Sequence, residues 1–200
     1  MNAATARILN ALGLLGLCMV LIVAFVDQIV LGDLPCPLCI LQRVGFVGAT
    51  FGLALNVKFG PRPSHYAVVI LSAFFGALVS TRQTLLHIAP GTGTYGDAIM
   101  GLHFYTWALV VYVAIILGCA IMLLFDRQFF GLAEPAHGQS QSQGGLSRSG
   151  AATFGLAMVA LAALLALGNG VSTVLECAAG LCPDNPVAYQ LLPGLQLPQH

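Results

Sequence analysis

Five runs of mostly apolar residues, at roughly 8–30, 38–57, 65–88, 103–125 and 151–170, fix the class of this chain before any motif is read. A membrane span needs about 20 such residues, and each run is near that length. The 200 residues carry only seven basic and seven acidic side chains. Ordinary globular proteins are about a quarter charged, so this chain could not cover a soluble surface. The expectation is an all-α integral membrane protein crossing the bilayer several times. The formal net charge is zero and no basic stretch stands out, so no nucleic-acid partner is expected; the surroundings are membrane lipid. The first run is too long for a signal peptide and lacks a small-residue cleavage site, so it reads as a retained first span.

The joints between spans are polar or broken by proline and glycine: "LGDLPCP", "KFGPRPS", "APGTGTYGDAIMGL" and a Gly/Ser/Gln-rich stretch around "HGQSQSQGGLSRSG". Lysine and arginine in short loops mark the cytoplasmic side. Arg7 precedes span one, Lys58 and Arg62 follow span two, and Arg127 and Arg148 follow span four. The loops at 31–37 and 89–102 and the tail after 170 contain neither residue. The alternation predicts a cytoplasmic N-terminus and an outer C-terminus. In span two, Gly48 and Gly52 have the small-xxx-small spacing of close helix packing.

The six cysteines sort by depth. Cys18 and Cys119 lie mid-span and read as small apolar packing residues. Cys36 and Cys39, in "CPLC", and Cys177 and Cys182, in "CAAGLC", all fall on the predicted outer side, where disulfides persist. Two structural bridges are one reading. Rings with two and four intervening residues constrain little chain, however, and a bridge stabilises most when it closes a long loop. Redox function for the CxxC pair is the sharper reading. A four-cysteine zinc site is a further alternative, opposed by the roughly 140 residues between the pairs and by the oxidising compartment; no metal is expected.

The head of span two holds the chemistry. Pro37 suits the first turn of a helix, which puts Cys36 at a helix N-terminus, where the macrodipole favours a thiolate. Cys39 and Arg43, four apart, share a helix face, and Gln42 lies close to it. An arginine about one turn below the membrane surface needs a partner or a task. Asp27 and Arg82 lie at similar depth, with His87 above Arg82. Asp27 is expected to pair with one arginine, leaving one cation. A cation beside a thiolate at membrane depth suits the oxygen of a lipid-soluble electron acceptor such as a quinone, with Gln42 and His87 as hydrogen-bond donors. The aromatics of "HFYTW", 103–107, read as an interfacial belt, or as packing against that acceptor.

The outer "CPLC" followed by "ILQR", with the layout of the first four spans, resembles the DsbB family, disulfide bond formation protein B. The resemblance covers roughly residues 8–125. It implies a four-helix membrane bundle in a bacterial inner membrane. It implies reoxidation of a periplasmic DsbA-like, thioredoxin-fold dithiol oxidase, with electrons passed to ubiquinone or menaquinone from the membrane pool. It assigns Cys39 as the thiolate facing the quinone, Cys36 as its disulfide partner and Arg43 as a quinone contact; His87 matches a family histidine loosely. The chain departs from the family in one respect. The second cysteine pair belongs between spans three and four, but 89–102 has no cysteine, and Cys177 and Cys182 follow a fifth span instead.

The expected organisation is therefore a bundle over 1–125, a flexible cytoplasmic linker over 126–150, a fifth span over 151–170 and a periplasmic tail over 171–200. The expected catalytic residues are Cys36, Cys39, Cys177 and Cys182, the tail pair acting as a mobile shuttle. Arg43, Gln42, His87 and Arg82 are the expected quinone contacts. The alternative is a membrane scaffold or transporter subunit whose outer disulfides only brace loops.

Overall fold

The structure is a computed structural model that describes residues 1–88, 98, 100–129, 145–178, 180–184 and 186–192. Five long helices carry the five apolar runs: α1 (Ala3–Val26), α2 (Pro37–Phe59), α3 (Pro63–Leu86), α4 (Phe104–Leu123) and α5 (Gly145–Cys177). Each is long and apolar enough to cross a membrane, α5 through its segment Thr153–Cys177. Among the described residues there is no strand. The chain is an all-α, multi-pass membrane protein.

Local chemistry sets the helix ends. Pro37 and Pro63 open α2 and α3, where a missing N–H costs nothing. Past Val26 the chain continues as a π-helical turn, Asp27–Leu31, and stops at Gly32, whose φ of 80° is left-handed. A short 3₁₀ turn, Asp126–Gln128, follows α4.

Helix α2 is central. It packs on α1, α3 and α5, while α4 packs on α3. Glycines allow the close approach to α3: a Cβ on Gly48 would meet the Ser72 hydroxyl at 2.5 Å, and one on Gly52 would lie 2.6 Å from Val69. The small spacing at Gly48 and Gly52 is thus a packing feature of the α2–α3 contact. Gly45 and Gly76 make room for the ring of Tyr112 from α4. That ring stacks on Phe46 at 4.2 Å, and its hydroxyl donates to the Gln42 carbonyl. The two glycines and one tyrosine lock α2, α3 and α4 together just below the "CPLC" motif.

Helix α5 lies against α1 and α2. Its buried positions Gly155, Ala162, Asn169 and Glu176 recur every seven residues, which keeps one stripe turned inward. Gly155 meets Val57 near the end of α2, and Gly168 meets Phe25 near the end of α1. So α5 runs antiparallel to α2 and parallel to α1. Here the sequence expectation needs correction. The fifth helix does not stop at 170: it continues to Cys177, and Ala178 then turns into the left-handed region at φ 47°. "VSTVLEC" stays helical because Ser172 and Glu176 extend the inward stripe. The cysteine pair therefore straddles a helix end instead of floating in a free tail.

Of the expected linker at 126–150, residues 126–128 form the 3₁₀ turn, α5 begins at Gly145, and 130–144 lie outside the described residues, as do 89–97 and 99 of the third loop.

Candidate redox site

Cys36 caps α2: its Sγ accepts from the Cys39 backbone N–H at 3.2 Å, as an N-cap side chain does. Cys36 and Cys39 form a disulfide, with Cα atoms 5.0 Å apart. Cys36 is buried and Cys39 half-buried.

Gln83 of α3 lies beside this disulfide. It is fully buried, and its Nε2 points at both sulfurs, 3.4 Å from Cys36 and 3.6 Å from Cys39. Its Oε1 accepts from Gln42 Nε2 at 2.8 Å, so Gln42 fixes which way the Gln83 amide faces. Gln42 was expected to face an external acceptor; the structure gives its amide to Gln83. Sequence reasoning passed over Gln83 in favour of its neighbour Arg82. Adjacent helical residues point about 100° apart. Arg82 lies on the exposed face of α3 while Gln83 is buried against the disulfide. The available signal was an uncharged amide inside an apolar span.

His87 ends α3 with its Nδ1 2.8 Å from the Gln83 carbonyl. Its ring lies 5.3 Å from Tyr105, which stacks on His103 at 5.4 Å. The His103 and Tyr105 rings thus tie the start of α4 to the end of α3, one turn beyond Gln83.

Arg43 lies one turn below Cys39, about 6 Å along the axis, and turns towards α1. Its guanidinium donates to Gln28 Oε1 and to the Ala24 carbonyl at 2.8 Å, and it sits 5.7 Å from the Phe25 ring. Asp27 and Glu176 are within electrostatic reach. On the π turn, Gln28 is one of the Arg43 hydrogen-bond partners, beside the charge of Asp27. A guanidinium has five N–H donors, and these two bonds use two of them.

Gln28 is fully buried and joins three parts of the chain. Its Oε1 takes the Arg43 donor, and its Nε2 donates to Ser172 of α5 at 2.7 Å and to the Tyr189 hydroxyl at 2.8 Å. Tyr189 is buried, and the Leu191 N–H donates to the Leu175 carbonyl at 3.0 Å. The segment after α5 therefore folds back onto the end of the bundle. Cys177 and Cys182 form the second disulfide, with Cα atoms 4.5 Å apart, and Gly180 closes its turn onto the Cys177 carbonyl at 2.8 Å. Gln28 holds Arg43 and Ser172 at one level. Cys39 lies one turn beyond the first and Cys177 five residues beyond the second, so both disulfides sit at the same end of the helices.

All eight sequence-predicted site residues are described. All lie at this end, but Arg82 stays on the exposed face of α3, turned away from the disulfide. Sequence reasoning missed Gln28, Gln83, Ser172, Glu176 and Tyr189.

A family model described as Disulfide bond formation protein DsbB matches residues 6–94. Among curated proteins, the Disulfide bond formation protein B of Stutzerimonas stutzeri (strain A1501) is 34% identical over 96 residues, covering 45% of this chain and 58% of the relative. The Disulfide bond formation protein B of Marinobacter nauticus (strain ATCC 700491 / DSM 11845 / VT8) is 42% identical over 74 residues, covering 35% of this chain and 44% of the relative. The chain thus matches about half the length of these relatives. No solved structure matches it.

Proposed function

We propose, on the footing that residues 6–94 of this chain belong to the DsbB family, that the protein is a thiol:quinone oxidoreductase of a bacterial inner membrane. It takes electrons from a periplasmic, DsbA-like dithiol oxidase, gives them to ubiquinone or menaquinone, and so sustains disulfide formation. The observation that carries this reading is the Cys36–Cys39 disulfide at the start of a membrane helix, with Gln83 aimed at both sulfurs and Arg43 one turn below.

The geometry suits thiol exchange. The attacking and leaving species in such exchange are thiolates. A thiolate at Cys36 or Cys39 would meet the Cys39 N–H, the first turn of α2 and the Gln83 amide, all of which favour negative charge. Gln42 keeps the Gln83 donor pointed at the sulfurs.

The residues also fit a quinone. Arg43 has donors beyond those given to Gln28 and Ala24, and the rings of His87, Tyr105 and His103 offer apolar faces one turn beyond Gln83. Arg43 and His87 would hold the quinone oxygen, Gln42 would act through Gln83, and Arg82 would contribute charge from the outer face. When bound, the quinone would supply the electron sink that a strongly oxidising partner, at about −120 mV, requires. The outer pair Cys177–Cys182 would receive electrons from the partner and pass them to Cys36–Cys39.

The test is direct. Detergent-purified protein is mixed with a soluble ubiquinone analogue and dithiothreitol, then with a reduced thioredoxin-fold oxidase, and quinone absorbance is followed. Reduction well above the uncatalysed rate is expected with both reductants, and C177S/C182S should lose only the protein-driven rate. A wild-type protein that leaves quinone oxidised in both cases would indicate a scaffold with bracing disulfides.

A further inference from the structure

Glu176 has no role in the reaction described so far, and its setting is unusual. It is fully buried, at 0% exposure, and neither carboxylate oxygen has a hydrogen-bond partner among the described residues. An unpartnered carboxylate in an apolar interior is costly, so it calls for a state in which partners exist.

The register of α5 locates it. Ser172 is level with Arg43 because Gln28 bonds to both. One helical turn, about 6 Å, separates Arg43 from Cys39 and equally separates Ser172 from Glu176. Glu176 continues the inward stripe of α5, on the side that packs against α1 and α2. It is therefore level with the Cys36–Cys39 disulfide and is the chain neighbour of Cys177. The charged group within electrostatic reach of Glu176 is Arg43 of α2, which also feels Asp27 of the π turn and Tyr189 of the returning segment; both cysteine pairs lie at the same end of the helices.

Both cysteine pairs are oxidised in this structure. Disulfide sulfurs offer no hydrogen to a carboxylate, whereas thiols do. We propose that Glu176 is the proton carrier for disulfide transfer between Cys177–Cys182 and Cys36–Cys39.

This rests on the proposed electron route through the outer pair. With Cys177 and Cys182 reduced, one thiol gives its proton to the Glu176 carboxylate and attacks a sulfur of the Cys36–Cys39 bond. That S–S bond breaks, a mixed disulfide forms, and the leaving sulfur takes the proton from Glu176. The second outer thiol then displaces the remaining sulfur, and its proton follows the same path. Two S–H bonds break and two form, one S–S bond breaks and one forms, and two electrons move from the outer pair to the inner. Cys36 and Cys177 are each only 4% exposed, so bulk water is poorly placed to serve.

The test needs no quinone. Oxidised protein receives a limiting amount of the reduced thioredoxin-fold oxidase, is quenched with acid at intervals and alkylated, and each pair's thiol content is read by mass spectrometry between pH 6 and pH 8.5. In Glu176→Gln, transfer from the outer to the inner pair should slow by about 100-fold, the lower end for a positioned proton acceptor. Its rate should become proportional to hydroxide concentration. Glu176→Asp should recover most of the rate and the wild-type pH profile. Glu176→Gln keeps the side chain's shape and removes a buried charge, so it should fold. Transfer in Glu176→Gln at the wild-type rate and pH profile would overturn the proposal alone. A wild-type protein in which the pairs never exchange would overturn it together with the outer-pair route.

Discussion

Polar side chains are buried at both ends of this bundle, but the two networks differ in kind. At the end away from the disulfides, Asn10 of α1 donates to the Tyr66 hydroxyl of α3 at 2.7 Å, and Tyr66 donates to Gln128 after α4 at 3.1 Å. Asn56 of α2 donates to Asn10 at 2.9 Å, and its carbonyl oxygen accepts the Arg62 N–H at 3.1 Å and faces His65 Nδ1 at 3.1 Å. Its core members are uncharged, and its donors meet acceptors across four segments of the chain. Such a network fixes helix register without a charge to accommodate. The disulfide end holds a half-buried arginine, two oxidised cysteine pairs and a carboxylate without a hydrogen-bond partner among the described residues. One end is satisfied in the state observed. The other keeps a buried carboxylate, Glu176, without a hydrogen-bond partner in that state. Substitutions at the first should act on stability and those at the second on chemistry.

The largest expected effect is at the disulfide end. Cys39→Ser should abolish quinone reduction with either reductant, because the transferring disulfide cannot form. The thermal unfolding midpoint in detergent should change little, since a ring with two intervening residues constrains the unfolded chain only weakly. A large fall in midpoint would make this pair structural and erase the contrast between the ends. Arg43→Ala comes next. It should raise the apparent KM for quinone by roughly 10–100-fold, the value of one or two charge-assisted hydrogen bonds, with Arg82→Ala affecting it far less. Steady-state kinetics over a range of quinone concentrations decides this, and an unchanged KM in folded Arg43→Ala protein would remove Arg43 from the acceptor site.

Asn56→Ala tests the opposite end. It removes a donor to Asn10 and the acceptor facing Arg62 and His65. Stranding buried polar groups costs about 1–3 kcal/mol, so the unfolding midpoint should fall clearly. Quinone KM and the turnover per folded molecule should match the wild type. Altered kinetics at unchanged stability would mean that the two ends communicate.

The same contrast explains what could be read from the sequence. Spans, the helix start at Pro37, the CxxC pair and the depth of Arg43 follow from local rules: apolar run length, proline geometry and residue spacing. Those rules also grouped Cys36, Cys39, Gln42 and Arg43 correctly on one helix. They are silent on which helices face each other. Gln83 reaches the disulfide from 44 residues beyond Cys39, and Gln28 meets Ser172 across 144. Charge was the guide in the third span, and it favoured Arg82 over the adjacent Gln83. Glu176 falls beyond 170, the expected end of the fifth helix, so no helical face was assigned to it. The seven-residue recurrence of Gly155, Ala162, Asn169 and Glu176 was present in the sequence, but only the packing of α5 shows what that stripe meets.

The smallest expected effect concerns the segment after α5. Sequence composition there, with Gly180, Pro183 and Pro186, suggested a tail free to swing between partner and inner pair. The structure instead folds it back, with Tyr189 bonded to Gln28 and Leu191 to Leu175. Tyr189→Phe deletes one hydroxyl and keeps the ring. A single hydrogen bond between uncharged groups is worth about 1 kcal/mol. Gln28 Nε2 retains its bond to Ser172 at 2.7 Å, so the arginine cluster should survive. The loss should therefore be local: the Leu191 amide should exchange its hydrogen about fivefold faster, as 1 kcal/mol of easier opening implies, while amides in the middle of α2 exchange as before. If outer-pair transfer needs the segment to open, Tyr189→Phe should also speed oxidation of the protein partner by up to the same factor. Faster exchange at Leu191 with an unchanged partner rate would mean that Cys177–Cys182 works from its docked position.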